Sequence, residues 1–264
     1  GLARVYSKAQ PLRRRIRRTL HGDARQIGNR LRAMNKTGFT ILIREGPVRA
    51  IDMGIALEEV QDGQKLGLRF HPGARLVFAD GTPDILAYPS DRAAWGRLTQ
   101  LLSKGKLKAE KGDCILHLSD LIERIEGLNL IVMPPVRIDA ARLSALLAQL
   151  KQHAAKRSIW LATGFLYRGD DRRRMAKLAR ISADNFVPLL ATNDVLYHHP
   201  WRRMLQDVVT CIREHVTLDQ AGRLLSLNAE RHLKPPAEMA RLFARYPEAI
   251  AQTQRLLERC HFSL

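Results

Sequence analysis

Asp194, His198 and His199 stand close together in Ala191-Thr192-Asn193-Asp194-Val195-Leu196-Tyr197-His198-His199-Pro200. Carboxylate and imidazole are the groups that ligate a divalent ion or activate water. The apolar, strand-like residues 186–190 precede them, so these side chains are expected at the C-terminal end of a strand, where parallel α/β proteins place ligands and metals. The pattern is incomplete. A second ligand two residues after Asp194 would point the same way along a strand, and that position is Leu196. A catalytic ion usually takes three protein ligands. The competing reading has Asp194 capping a turn or the next helix, with both histidines on a surface loop.

Other stretches carry ionic chemistry. Arg231, His232 and Lys234, within residues 228–239, suit contacts to phosphate. Equally, Pro235-Pro236 with Glu238 starts a helix, the acid lying near its positive end. Arg13, Arg14, Arg15, Arg17 and Arg18 form a nucleic-acid-binding candidate that works by counterion release, or else a solvated arm. Only Tyr6 and Phe39 accompany them, so base stacking is not indicated there. Lys104, Lys106, Lys108 and Lys111 make a smaller patch with the same two readings. No His-x-His or His-Glu-x-x-His pattern, phosphate-binding loop, dinucleotide fingerprint or nucleophile elbow occurs. A polymerase-type carboxylate cluster is not evident, and Asp170-Asp171 before three arginines reads as a helix start.

The elements that must position these residues are legible from residue 46 onward. Residues 75–79 and 84–88 read as strands joined by the turn Asp80-Gly81-Thr82-Pro83. Ser90 is expected to cap a helix with Trp95, Leu98, Leu101 and Leu102 on its apolar face, ending near Gly105. A Lys-rich loop covers 104–111, and Ser119-Asp120 opens a short helix closed by Gly127. Apolar runs at 130–133, 159–162 and 187–190 alternate with helical segments at 139–154 and 170–184, the signature of right-handed crossovers and a parallel sheet. After Pro200 only helices are expected: 201–214, 217–225 with Thr217 as cap, 236–245 and 248–260. Residues 1–45 show no clean period apart from a short strand at 37–43.

Composition narrows the class. The chain has 264 residues, 45% of them hydrophobic, and a net charge of +18. Residues 1–50 hold 13 Lys/Arg against Asp23 and Glu45, so +11 of that charge belongs to the N-terminal arm. The body is mildly basic. Cys114, Cys211 and Cys260 lack a Cys-x-x-Cys spacing, which argues against a disulfide framework or structural zinc and for reduced cytoplasmic thiols. The apolar runs are too short to span a bilayer, and the arginine run is followed by no apolar signal core, though its composition is transit-peptide-like.

The segment Ala191-Thr192-Asn193-Asp194-Val195, followed by Leu205-Gln206-Asp207-Val208-Val209-Thr210-Cys211-Ile212-Arg213-Glu214, resembles the end of a PHP (polymerase and histidinol phosphatase) domain. That module begins the bacterial DNA polymerase III alpha subunits. Residues 228–239, with Leu242-Phe243, Pro247-Glu248-Ala249 and Glu258-Arg259-Cys260, are similar to the stretch leading towards the polymerase body. Leu86-Ala87-Tyr88-Pro89-Ser90-Asp91-Arg92-Ala93-Ala94-Trp95-Gly96-Arg97-Leu98, Lys111-Gly112-Asp113-Cys114 and Leu166-Tyr167-Arg168-Gly169-Asp170-Asp171 resemble the error-prone, ImuC-type branch. The resemblance covers about residues 46–264.

The resemblance implies an α/β fold, a distorted β/α barrel followed by a helical tail. It divides the chain into a basic arm at 1–45, a PHP-like body at 46–200 and a helical segment at 201–264. Intact members hold metals with histidine, aspartate and glutamate ligands. Here no His-x-His opens the chain, and the family's Gly-x-Glu aligns with Gly73-Ala74-Arg75, putting a cation where a ligand belongs. The final Asp-x-His reads Asp194-Val195-Leu196, with His198 or His199 as substitutes. Residues 1–45 depart so far that a fragment with a shifted reading frame is expected at the start.

The leading expectation is a fragment of a cytoplasmic error-prone DNA polymerase acting in replication and translesion repair. Its PHP domain would be structural, with a degenerate site for a divalent metal. Its partners would be DNA and other translesion-synthesis proteins, with no membrane. The chain lacks the polymerase carboxylates, so no catalytic residue is assigned and the piece alone is expected to be inactive. The alternatives are a stand-alone metal-dependent phosphoesterase or exonuclease, and a non-catalytic basic nucleic-acid-binding module.

Overall fold

The computed structural model describes residues 71–110 and 113–262. Arg13, Arg14, Arg15, Arg17, Arg18, the strand expected at 37–43 and Lys111 lie outside these residues. Five strands form one sheet in sequence order: β1 (Ala74–Leu76), β2 (Ile85–Pro89), β3 (Leu128–Val132), β4 (Ile159–Thr163) and β5 (Leu189–Ala191). β1, β2 and β3 pair antiparallel, while β3, β4 and β5 pair parallel. The parallel half is built by crossovers through α3 (Ala140–His153) and α4 (Asp171–Asn185), as the alternating pattern predicts. The sheet is open among the described residues, so the expected barrel is not closed there. No helix among them is long and apolar enough to cross a membrane.

Both faces of the sheet are dry, and this explains why its strands read as continuous apolar runs. On one face Ile85, Ala87, Leu130, Val132, Leu161 and Leu189 join the main core with the apolar stripes of α1 (Arg92–Leu107), α3 and α4. On the other, Leu86, Tyr88, Ile131, Trp160, Ala162 and Leu190 pack on Leu256 and Cys260. Leu256 belongs to α8 (Pro247–Glu258), and Trp160 Nε1 donates to Gln252 Oε1 of that helix at 3.0 Å. The last helix is therefore a layer of the core and not an appended tail.

Three local expectations are corrected. Asp91, not Ser90, caps α1, its Oδ1 accepting from the Ala94 amide at 2.8 Å. Gly105 does not end that helix, which continues to Leu107 and takes in Lys104 and Lys106 from the expected loop. A Cβ at Gly105 would stand 2.6 Å from Leu116 Cδ2 and 2.7 Å from Cys114 Sγ. Glycine is there because a neighbouring chain segment packs against the helix, which sequence pattern cannot distinguish from a C-cap. The strand expected at 187–190 shrinks to Leu189–Ala191, because Phe186 takes the left-handed C-cap conformation of α4 and is 87% exposed.

Within the lysine patch, Lys104 and Lys108 are matched by acids. Asp120, buried in α2 (Leu118–Ile122), receives Lys104 Nζ at 2.8 Å, Lys108 Nζ at 3.2 Å and the His117 amide at 3.0 Å. The Lys104 ammonium, helped by that amide, holds the Asp120 carboxyl well below the usual carboxylate range. Thr217 stands at the N-cap position of α6 (Leu218–Ala221) without a side-chain cap hydrogen bond, and the helix expected to 225 gives way to a 3-10 turn at Gly222–Leu224. Pro236 opens α7 (Pro236–Leu242), with Glu238 in its first turn.

Two expected outcomes follow from this packing. Gly96 lies in α1 with open space around its missing Cβ, so Gly96→Ala should stabilise by about 0.5–1 kcal/mol. Gly105→Ala should instead destabilise by about 1–3 kcal/mol through overpacking. Denaturant midpoints check the pair, and stabilisation by both would contradict the packing at 105. The Asp120 pKa is lowered by folding, so its contribution is present above the unfolded value near 4 and lost as pH falls through the folded one. Asp120→Asn should therefore be less stable than the parent at neutral pH and converge with it under acid. A gap that stays undiminished between pH 5 and pH 2 would count against the ion pairs.

Candidate functional site

The loop after β5 is shaped by close backbone approach. A Cβ on Gly164, at the end of β4, would lie 2.6 Å from the Thr192 carbonyl oxygen, so only glycine lets the two loops touch. Asp194 then turns the chain at φ 41°, a conformation Asp and Asn tolerate better than other side chains, and its amide donates to Thr192 Oγ1 at 3.1 Å. This loop zips to residues 228–234. The buried Asn193 amide donates to the carbonyls of Glu230 and His232 at 2.8 and 2.5 Å. Leu196 N–H donates to Arg231 O at 2.8 Å, and Leu233 N–H to Tyr197 O at 2.9 Å.

The zipper sets Arg231 against Asp194. Arg231 Nε donates to the Asp194 carbonyl at 2.8 Å and Nη2 to its carboxylate. From the far edge of the sheet, Arg75 on β1 brings Nη1 to 3.3 Å from both Asp194 carboxylate oxygens, while its Nε pairs with Asp84. Arg75 shares its face with Leu86, its register partner on β2, hence with Ile131 and Trp160. Five flat strands span roughly 19 Å between the first and last, far beyond an arginine's reach. The contact exists because the sheet curls towards that face and the β5 loop folds over its top. Burial pushes the Arg231 guanidinium down to about 10, and the positive charges of Arg75 and Arg168 add to the effect. It still carries its charge at neutral pH.

A divalent ion does not fit this arrangement. Both oxygens of Asp194 face guanidinium groups, and an approaching cation would meet Arg75 and Arg231 first. Among the described residues no group of three or more His, Cys, Asp or Glu could hold a metal ion. His198 and His199 form no such group with Asp194 among the described residues; their rings pack around Trp201 at centroid distances of 6.2 and 5.8 Å. The His199 Nδ1 accepts from the Trp201 amide at 3.4 Å.

The phosphate candidates are engaged in structure. His232 Nδ1 donates to Ala229 O at 2.9 Å. Lys234 is buried, with Nζ on Glu230 Oε2 at 2.6 Å. Sequence reasoning missed the pairing of Arg75 and Arg231 with Asp194. The one signal was a cation, Arg75, at an expected ligand position, and it named no partner.

The Asn193 side chain ties the two halves of the zipper, so Asn193→Ala should cost about 1–3 kcal/mol by leaving part-buried carbonyls without that donor. Thermal or denaturant unfolding reads this, and an unchanged midpoint would show that the zipper is held elsewhere.

No protein-family model matches the chain. Curated relatives do. Over 197 residues, 73% of this chain, it is 60% identical to a protein of Bradyrhizobium sp. (strain ORS 278) named "Error-prone DNA polymerase". It is 57% identical over 196 residues to the protein of that name in Sinorhizobium medicae (strain WSM419). The match to the Brucella abortus biovar 1 (strain 9-941) protein is 45% identical over 240 residues, 90% of this chain. The chain spans only 17%, 18% and 22% of those three relatives. Its sequence is thus closely similar to one part of proteins named error-prone DNA polymerase.

Proposed function

We propose that this chain is a PHP-type segment of an error-prone DNA polymerase in which ion pairs among protein side chains replace the metal cluster. Its role is structural. The observation that carries the reading is Arg75, which stands at the expected glutamate position and lays its guanidinium on Asp194. A cation fixed in the protein supplies the countercharge that a bound metal would supply, with no exchangeable ion and no activated water. In the longer protein the activity is template-directed nucleotidyl transfer during damage-tolerant synthesis. DNA is its partner, alongside other translesion-synthesis proteins, in the cytoplasm. The relatives' names support the polymerase context, and the occupied Asp194 carboxylate disfavours a stand-alone phosphoesterase.

Metal analysis of the purified chain after exposure to Mn²⁺ or Zn²⁺ tests this reading. The expected result is well below one ion per chain, with no rise in melting temperature on adding either metal. Stoichiometric metal that is lost in Asp194→Ala would overturn it.

A further inference from the structure

We propose that Trp201, with Arg202, His198 and His199, is a stacking platform for single-stranded DNA, a surface distinct from the Asp194 ion pairs. The choice of DNA as the strand rests on the polymerase reading; the stacking chemistry does not. Trp201 lies in the 3-10 turn Pro200–Arg202 between the β5 loop and α5 (Arg203–Glu214). It is 55% exposed, whereas Trp160 is 2% exposed in the core. An indole left in water is costly to keep, yet this one stays at the surface with three side chains packed around it. Arg202 lays its guanidinium carbon 4.0 Å from the ring centroid. The imidazole of His198 meets it edge-on at 81° and that of His199 at 50°.

These are the parts a nucleobase needs. Bases stack on an aromatic face without regard to sequence, and a stacked arginine adds cation–π attraction beside the strand's phosphates. The carboxylates nearby in sequence offer little repulsion, because each has an arginine of its own. Asp194 is held by Arg75 and Arg231, Asp207 by Arg203 at 3.4 Å and Glu214 by Arg213 at 2.8 Å. The chain's net charge of +18 draws polyanions to it at low salt. Duplex bases are already stacked on each other, so an unpaired strand is the better ligand. Met204 and Leu227 are also exposed, at 79% and 81%, so a protein partner is the competing class. The guanidinium and two imidazoles around the ring favour the base.

The test titrates the full chain with a short fluorescently labelled oligodeoxythymidylate and with a duplex of equal length, reading tryptophan emission and oligonucleotide anisotropy. The single strand is expected to quench tryptophan emission and to bind more tightly than the duplex. Trp201→Ala should remove the quench and weaken binding about tenfold or more, as loss of one stacked base implies, while Trp201→Phe keeps most of the affinity. The quench is the decisive readout, since phosphate contacts elsewhere would move anisotropy alone. Unchanged affinity and quench in Trp201→Ala would overturn the proposal. So would an absence of oligonucleotide binding combined with Trp201-dependent self-association by sedimentation, which would make the surface a protein contact. Neither result touches the metal analysis above, so the two readings fail separately.

Discussion

The fold turns on one carboxylate held between two guanidinium groups. Asp194 follows the last strand, Arg75 sits on the first, and Arg231 comes from the zipper segment beyond α6. Each group is only partly exposed, so none can be left without its partner cheaply. The ion pairs join the two edges of a curled sheet across its top. They also tie residues 228–234 to the β5 loop. Among the described residues no ring of strands fixes the curvature of the sheet; a side-chain bridge spans it instead.

The lower part of the same face is closed by a different device. Leu256 and Cys260 cover Leu86, Tyr88, Ile131 and Trp160, and Asn129 receives Arg259 Nε at 2.9 Å. Burial pushes the Cys260 thiol up to about 12, which keeps it neutral and inert. Apolar burial thus fills the base while ionic contacts sit above it. This division explains how charged groups survive so near a dry core: each lies where a partner and some solvent are both within reach. The negative charge of Asp194 is thereby neutralised by Arg75 and Arg231 of the chain itself.

Much of the architecture was legible. The apolar runs at 130–133 and 159–162, the crossover helices and the helix after Pro235 all appear close to where period and punctuation place them. The errors were local and had tertiary causes. Gly105 looked like a helix stop but is a packing contact with Leu116 and Cys114. Phe186 looked like the start of a strand but caps a helix in a left-handed conformation. The site was half legible: Asp194 stood out, Arg75 was seen as a cation in a ligand's place, and their meeting was invisible. Periodicity reports on neighbours within a helix or strand, whereas this pair joins residues 119 positions apart through the curl of the sheet. His198 and His199 read as ligands because of their type, and in the fold their rings pack on Trp201.

The most direct test of the account is a double-mutant cycle on Arg75 and Asp194, measured by denaturant unfolding of the full chain at neutral pH. Arg75→Met alone and Asp194→Leu alone each strand part-buried charge and should cost about 3–5 kcal/mol. The double variant removes both charges of that contact and should recover a large share of the loss, giving a coupling energy of about 1 kcal/mol or more. Additive losses, with no coupling between the two positions, would contradict the claim that this ion pair holds the sheet.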